Sequence, residues 1–499
     1  MKRNSNIVAE VIERRARNVK HYIKDDFSYE AALYPEAVHY LDGGIWKDID
    51  NNLVDLADEE NNKVLENKSN GFKLRISKKS KVKKLVRIKK DEYELSWGID
   101  NANDVPYEIS NANSSNLDQL SENDKRKALK NISSSAVRFR NILNNIDVEY
   151  LVISDKVKEN IIINSASPVN QFIFNLSLSK LLPKLETDGS IGFYDSKNTN
   201  TIVFRMPAPF IYDASGAQTS KINVELINDK NKNSYVLALT PDADWINDKN
   251  RTYPVVIDPQ IETSLDRTKI YDAFVSLFTP NQNYRETVLL DVGKSPINIV
   301  ARSYIKFDLP EITSADMVID AELSLSLYEA NASVNQINAH KVLGNWESST
   351  ITWNNAPAFD NKIDDYNNLS GVVGNRFSWK ITDIVKEWYT TGNNYGVVIK
   401  HNDEQTGHNK FFSSDTYIDY AAYRPQVTIT YVNNSGLESY WTYHSQDSGR
   451  AGISYINDYN GNLIHVHNDI NMNGNKMPLI LNHVFNSNLK DINISYGLG

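Results

Sequence analysis

RSYIKFDL, residues 302–309, alternates between two kinds of side chain: Arg302, Tyr304 and Lys306 fall on one side of the run, Ile305 and Phe307 on the other. A pleated strand with one buried face needs that period of two, because successive side chains leave its backbone in opposite directions. The same grammar repeats outward from this stretch. Segments at Ala321 to Tyr328, Gly396 to Lys400 and Gln426 to Tyr431 are short, rich in Val, Ile, Leu and Tyr, and separated by Asn, Asp and Gly, at the spacing of an antiparallel sandwich. A helical period interrupts it once, in DIVKEWY after Thr382, where Ile384, Val385 and Trp388 share a face and Thr382 is the expected cap. Residues 261–432 are therefore expected to form one jelly-roll-like β-sandwich.

Upstream, TYPVVIDP (252–259) ends on a proline that cannot continue a paired central strand, which predicts a boundary at Pro259 and a β-rich N-terminal region over 1–259. Its strands are expected at Gly71 to Ser77, Lys81 to Ile88, Glu92 to Trp97, Asp147 to Ile153, Asn160 to Ile163 and at similar intervals to Tyr235–Thr240. Residues 110–135 shift to Asn, Ser, Asp and Lys and read as a linker or insertion. Ile7, Val8, Val11, Ile12 and Val19 lie near helical spacing, which predicts a short amphipathic helix from Asn6 to about Tyr22. The run KLRISKKSKVKKLVRIKK (73–90) is densely basic. Its alternation favours a hairpin with one solvated face over a patch for an anionic polymer. Residues 435–499, rich in Tyr, Asn, His and Gly, are too few to close an ordinary domain.

Bulk properties set the limits. A chain of 499 residues, 40% apolar, with 27 Tyr, 16 Phe and 8 Trp, supports several folded cores rich in sheet. A net charge of −9 with mixed signs gives no general footprint for nucleic acid, which is an unexpected partner. The lack of cysteine excludes disulfides, thiolate metal sites and cysteine nucleophiles. No stretch has the length and apolarity of a transmembrane helix, and the first residues lack the apolar core of a signal peptide, so the chain reads as soluble with its export route open.

A set of short motifs carries a resemblance. Trp346-Glu347, Ile351-Thr352-Trp353-Asn354-Asn355-Ala356-Pro357, Ile381-Thr382-Asp383-Ile384-Val385-Lys386-Glu387-Trp388 and Asn394-Tyr395-Gly396 resemble the DNRLRE family of β-sandwich domains. Asn283-Tyr284, Tyr304 to Leu309, Ser413-Ser414-Asp415 and Arg424-Pro425 extend that resemblance across 261–432. The flanks look like wall-associated proteins of the RHS or YD-repeat type. Val38-His39-Tyr40, Ile45 to Asn51 and Tyr253 to Pro259 resemble their N-terminal region; Tyr440 to Asp447, Asn457 to Leu463 and Asn482 to Asn486 resemble the entry to their repeat core. The resemblance implies a mainly β chain whose residues 435–499 start an RHS/YD-repeat β shell, with a C-terminal effector in the full-length polymorphic-toxin type of protein.

No nucleophile elbow, zinc-protease helix, phosphate loop or dinucleotide fingerprint is present, so no catalytic residue is expected. Trp346, Trp353, Trp379 and Trp388 suit sugar stacking or core packing, and the helix face and motif context favour the core. Arg302, Tyr304 and Lys306, with Lys400 if its strand lies beside theirs, are the ligand-binding candidates on an outer face; their cations suit an anionic glycan, while a solvated strand face explains the same pattern. His465, His467 and Asp469 alternate onto one strand face as metal-ligand candidates, against the reading of a hydrogen-bonded surface, which also fits His401, Asp403 and His408. No cofactor is expected. A structural calcium ion at Asp266, Asp272 or Asp291 stays open.

The expected function is a non-catalytic extracellular or cell-surface module that attaches a large bacterial RHS-type protein to cell wall or polysaccharide. The alternatives are a structural cap or plug of the shell with no glycan ligand and, remotely, a polysaccharide-degrading enzyme.

Overall fold

Alternating apolar residues throughout the chain give a molecule that is mostly strand, with very little helix. The computed structural model describes residues 5–58, 61–112, 134–166, 171–215, 217–228, 234–264, 269–285, 287–294, 300–312, 316–330, 335–369, 374–404, 407–414, 423–433, 436–438, 441–458, 461–472 and 479–487. The expected insertion at 110–135 lies almost wholly outside them, as does Asp266. The chain forms two compact units: residues 16–18 with 36–268, and residues 1–15 and 19–35 with 269–499.

In the 36–268 unit two sheets enclose one core. The first runs Ile222–Asn228, Ser234–Pro241, Phe172–Ser179, Tyr93–Ile99, Val86–Lys90, Lys73–Ser77, Lys63–Ser69 and Asp50–Ala57. The second is built on the consecutive hairpins Tyr107–Ala112, Ser134–Leu143, Ile146–Ile153 and Lys156–Ile163 and continues through Gln260–Glu262 to Ile202–Met206. Leu74, Ile76, Val86 and Ile88 are buried between the sheets, so the basic run is a hairpin with one apolar face, and its lysine-rich middle, 78–85, is the turn. The strand after Pro259 pairs with Lys156 to Lys158, and this unit extends through Thr268.

In the other unit a 15-residue strand, Asp316–Ala330, links two sheets. Its first half pairs with Gln426–Asn433 and its end with His408–Phe412, with a break in register inside each pairing, at Val318/Asp320 and at Leu327/Glu329. Val300–Phe307 lies in the second sheet, between Ile270–Ser276 and Val397–His401. The helix Thr382–Thr391 buries Ile384, Val385 and Trp388 and ends at Gly392 in the left-handed conformation. Thr382 does not cap it. Its hydroxyl accepts from the Ala321 amide at 3.0 Å and donates to Asp320 at 3.1 Å, which ties the helix to the bridging strand. Trp388 meets Phe307 edge-on at 5.5 Å and Trp379 meets Phe411 at 5.8 Å inside the sandwich.

The N-terminal segment corrects the helix expected there. Ile7–Glu10 and Val19–Lys24 are strands joined by a short turn of 3-10 helix at Ile12–Arg14. Val19–Lys24 pairs with Tyr29–Leu33, which pairs in turn with Gln426–Asn433. Sheet pairing satisfies the backbone while burying His21, Tyr22 and Tyr29, and this outweighs a weak helical period. Residues 443–486 add an antiparallel meander of four strands, Tyr443–Asp447, Ile453–Asn457, Leu463–Met472 and Leu479–Asn486. Among the described residues no helix is long and apolar enough to cross a membrane.

Candidate functional site

The strand Val300–Phe307 turns Ile305 and Phe307 into the sandwich and Arg302, Tyr304 and Lys306 to the opposite side, as their alternation requires. That opposite side is not open to solvent, which corrects the outer face expected for it. The segment 342–359 lies over it, and Tyr304, Trp346, Ile351, Val342 and Val398 form a second small core with Trp353 and Phe359 packed at its margin. Tyr304 is 1% exposed. Its hydroxyl donates to the Pro357 carbonyl at 3.1 Å and its ring meets Trp346 edge-on at 5.8 Å. Burial pushes its phenol up to about 12, so it is a neutral donor.

Each cation of this face is braced. Arg302 donates two hydrogen bonds to Glu404, at 2.7 and 2.9 Å, and its guanidinium lies 4.5 Å from the Trp353 ring centre and 5.3 Å from that of Phe359. Lys306 donates to the Trp346 carbonyl at 2.8 Å and sits 5.3 Å from the centre of that indole, whose own N–H is held by the Tyr395 carbonyl. Lys400 does come beside Arg302, since Val397–His401 is the neighbouring strand, and its ammonium lies 3.7 Å from Glu404. Burial, reinforced by Arg302, lowers the Lys400 pKa even though Glu404 opposes the shift. Burial also works against charge on Glu404, but the bonds from Arg302 hold its carboxyl below the usual range. The four ligand-binding candidates thus form a frame: Arg302 and Lys400 share Glu404, and Tyr304 and Lys306 hold Trp346.

The ITWNNAP motif is the other half of that frame. Ile351 is buried, Trp353 takes the Arg302 cation, and the Asn355 side chain closes a turn by accepting from the Thr352 amide and donating to the Thr350 carbonyl. Asn354 joins this turn to the loop at 277–285: its amide nitrogen donates to the Pro280 carbonyl at 3.0 Å and its side chain to Asn281 at 2.8 Å. Asn283 donates to the carbonyls of Ser348 and Ile351, and Tyr284 stacks on Phe274 at 4.1 Å. The loop held this way presents Leu277 and Phe278 to solvent, 50% and 68% exposed. An exposed aromatic side chain on a loop that also carries side-chain amides is chemistry suited to a sugar ring, with the ring face for its C–H surface and the amides for its hydroxyls. Phe278 lies outside any alternating pattern, and only its position two residues past a strand could have marked it.

His465, His467 and Asp469 come together on the strand Leu463–Met472, and their polar atoms face protein groups. The His465 ring bonds Ser454 at 2.9 Å and the Ala451 carbonyl at 2.8 Å; His467 bonds the same carbonyl at 3.2 Å and lies 3.5 Å from Asp469, which also pairs with His483. A ring nitrogen that donates to a carbonyl has no lone pair for a metal. His401 similarly faces Asp403 at 3.0 Å and His408 faces Asp291 at 3.3 Å. Of the calcium candidates, Asp272 is buried and accepts from the amide and hydroxyl of Ser414 at 2.8 and 2.9 Å, and so acts as a tether inside the sandwich.

Residues 263–431 match the model of carbohydrate-binding module family 96. Over 472 residues the chain is 25% identical to the tRNA nuclease WapA of Bacillus subtilis strain 168, and over 470 residues it is 25% identical to the tRNA3(Ser)-specific nuclease WapA of Bacillus spizizenii. Each alignment covers 89% of this chain and 19% of the relative, so the chain spans about a fifth of the length of the curated relatives it matches.

Proposed function

We propose that this chain is a non-catalytic attachment segment of a larger secreted or cell-surface bacterial protein, in which residues 263–431 hold a cell-wall polymer or other polysaccharide. The observation that carries this reading is the coincidence of the family 96 match with a sandwich whose loop at 277–285 exposes Phe278 and, through Asn281, carries the amide pair with Asn354. In this reading Phe278 stacks on a sugar ring, the paired amides meet its hydroxyls, and Arg302, Tyr304, Lys306 and Lys400 keep Trp353 and the loop in place beneath. No nuclease step is assigned to these residues, and the effector of the longer protein lies elsewhere.

The test is a glycan array and a pull-down on insoluble cell walls with the whole chain, repeated with Phe278→Ala. Loss of one stacked ring should weaken retention about tenfold with no change in melting temperature. Failure of the unaltered chain to bind any glycan or wall would remove the attachment reading.

A specific observation favours a second reading, in which the chain caps or plugs an RHS-type shell. On the 443–486 meander Leu479, Leu481 and Phe485 are 57%, 49% and 44% exposed, an apolar surface of the kind that further strands of a repeat shell would cover. Absence of glycan binding together with tight association with downstream repeat segments would favour that role.

A further inference from the structure

We propose that the lysine turn of the 36–268 unit, residues 78–84, is a second contact surface, which takes a linear anionic glycopolymer bearing a carboxylate or phosphodiester in each repeat. The proposal goes beyond the sandwich reading, because the turn belongs to the other unit and matches no part of the family 96 region.

The basic residues of the hairpin differ in their surroundings. On its strands Arg75 and Lys73 pair with Glu66 at 2.6 and 3.2 Å, Arg87 lies 3.6 Å from Asp58 and 3.7 Å from Glu94, Lys90 donates to the Thr263 carbonyl at 2.5 Å, and Lys89 alone is an exposed cation with no carboxylate partner among the described residues. The ion pairs are the cross-strand pairs of a solvated sheet face. The turn differs. Lys78 and Lys84 at its ends lean on Asp55 and Glu94, whereas Lys79, Lys81 and Lys83 are exposed and, among the described residues, meet no carboxylate. Three exposed ammonium groups within five residues, without a carboxylate partner among the described residues, repel one another, and screening or a bound anion relieves the repulsion.

The turn is also held in shape. The Ser80 hydroxyl, fully buried, accepts from the Val105 amide at 2.7 Å and lies 2.9 Å from the Asn103 carbonyl. Leu85 is buried in the core, and the backbone at Val82 and Lys83 lies flat on Gly98, where a Cβ would stand 2.4 Å from the Val82 carbonyl oxygen. The lysines between these anchors are therefore presented by a fixed backbone, which lowers the ordering cost of binding. Nucleic acid is the poorer fit. The chain as a whole carries −9, and single-stranded nucleic acid also draws on aromatic stacking, for which the nearby Tyr107 is already covered by the Lys78 ammonium at 5.7 Å.

The experiment measures binding of the whole chain to polygalacturonate and to poly(glycerol phosphate), with neutral dextran and poly(U) RNA as the other arms, at 50 and 500 mM NaCl. Replacing Lys79, Lys81 and Lys83 together by Gln should weaken binding to the polyanions about tenfold at low salt, and Lys81→Gln alone about twofold, with both differences vanishing at high salt. The same loss should appear in a Phe278→Ala background, which separates this surface from the sandwich. Unaltered binding by the triple variant, absence of polyanion binding by the unaltered chain, or tighter retention of poly(U) than of both glycopolymers would each overturn the proposal.

Discussion

Glu159 offers a quantitative test of the fold of the 36–268 unit. It occupies a core position on Lys156–Ile163, between Val157 and Ile161, and lines a cavity between the two sheets with Leu95, Trp97, Phe174, Phe193 and Leu239. The residue is 7% exposed, and its carboxyl accepts from the Tyr150 hydroxyl at 2.7 Å. Burial pushes its pKa from 4.5 up to about 7, against the pull of Tyr150 and Trp97 toward the charged form. The folded unit therefore binds a proton between those values that the unfolded chain releases. Its stability is full below pH 4.5 and declines as pH rises to about 7, beyond which ionisation costs about 3 kcal/mol, at 1.36 kcal/mol per tenfold in proton affinity. Glu159→Gln keeps the shape and the acceptor for Tyr150 and removes the ionisation. The variant should match the wild type near pH 5 and exceed it by about 3 kcal/mol at pH 8, read as urea unfolding by hydrogen exchange in peptides from 146–163. An equal effect of the substitution at both pH values would refute the assignment, and so would a wild-type decline that persists in the variant.

Other outcomes follow from the second unit. His21 is 2% exposed and bonded to the Tyr431 hydroxyl at 2.8 Å, and burial with the Arg14 charge beside it lowers its pKa to about 4. That unit should therefore keep its stability above pH 6.5 and lose about 3 kcal/mol as pH falls through 4, a loss absent from His21→Gln and measurable by the same exchange method on peptides from 426–433. Arg302→Ala should cost about 2 kcal/mol in urea unfolding, because it leaves Glu404 half-buried without its main partner and uncovers Trp353; Arg302→Lys should recover only part, since an ammonium cannot make the paired bonds. At Gly396, with φ at +80° and a Cβ that would stand 2.4 Å from the Ile305 carbonyl oxygen, Gly396→Ala should cost about 2–4 kcal/mol and lower the melting temperature accordingly.

Periodicity made the sheet strands legible because each has one face against a core, and the sign of alternation survives without knowledge of the partner strand. It assigned Ile305 and Phe307, Leu74 and Ile76, and the Ile384–Trp388 helix face to burial, where the structure places them. It failed in two places for one reason: tertiary neighbours are invisible in a period. Val19–Lys24 is a strand because Tyr29–Leu33 pairs with Gln426–Asn433, roughly four hundred residues away in sequence, and no local pattern encodes that. Tyr304 alternates with core residues and so reads as outward, but the 342–359 segment lies over it as a third layer. Arg302 and Lys306 supply charges that suit solvent, and their partners, Glu404 and the Trp346 carbonyl, lie 102 and 40 residues away. The candidate site was therefore legible as a cluster of cations and unreadable as a frame.

The covered face constrains where any glycan can be met. With Ile305 and Phe307 directed into the sandwich and Arg302, Tyr304 and Lys306 under the 342–359 segment, both faces of the Val300–Phe307 strand are largely covered, and the proposed contact lies in the loop at 277–285. That loop divides its residues by role. Asn283 and Tyr284 hold the loop through part-buried bonds and stacking, while Leu277 and Phe278 are exposed on the surface. On the proposed reading, substitutions at the first pair act on stability and at the second on affinity alone. The proposed ligand preference at this end of the sandwich can then change through Phe278 at little cost to folding, whereas the motif tryptophans, fixed by Arg302, Lys306 and Tyr395, cannot be exchanged without loss of the frame itself.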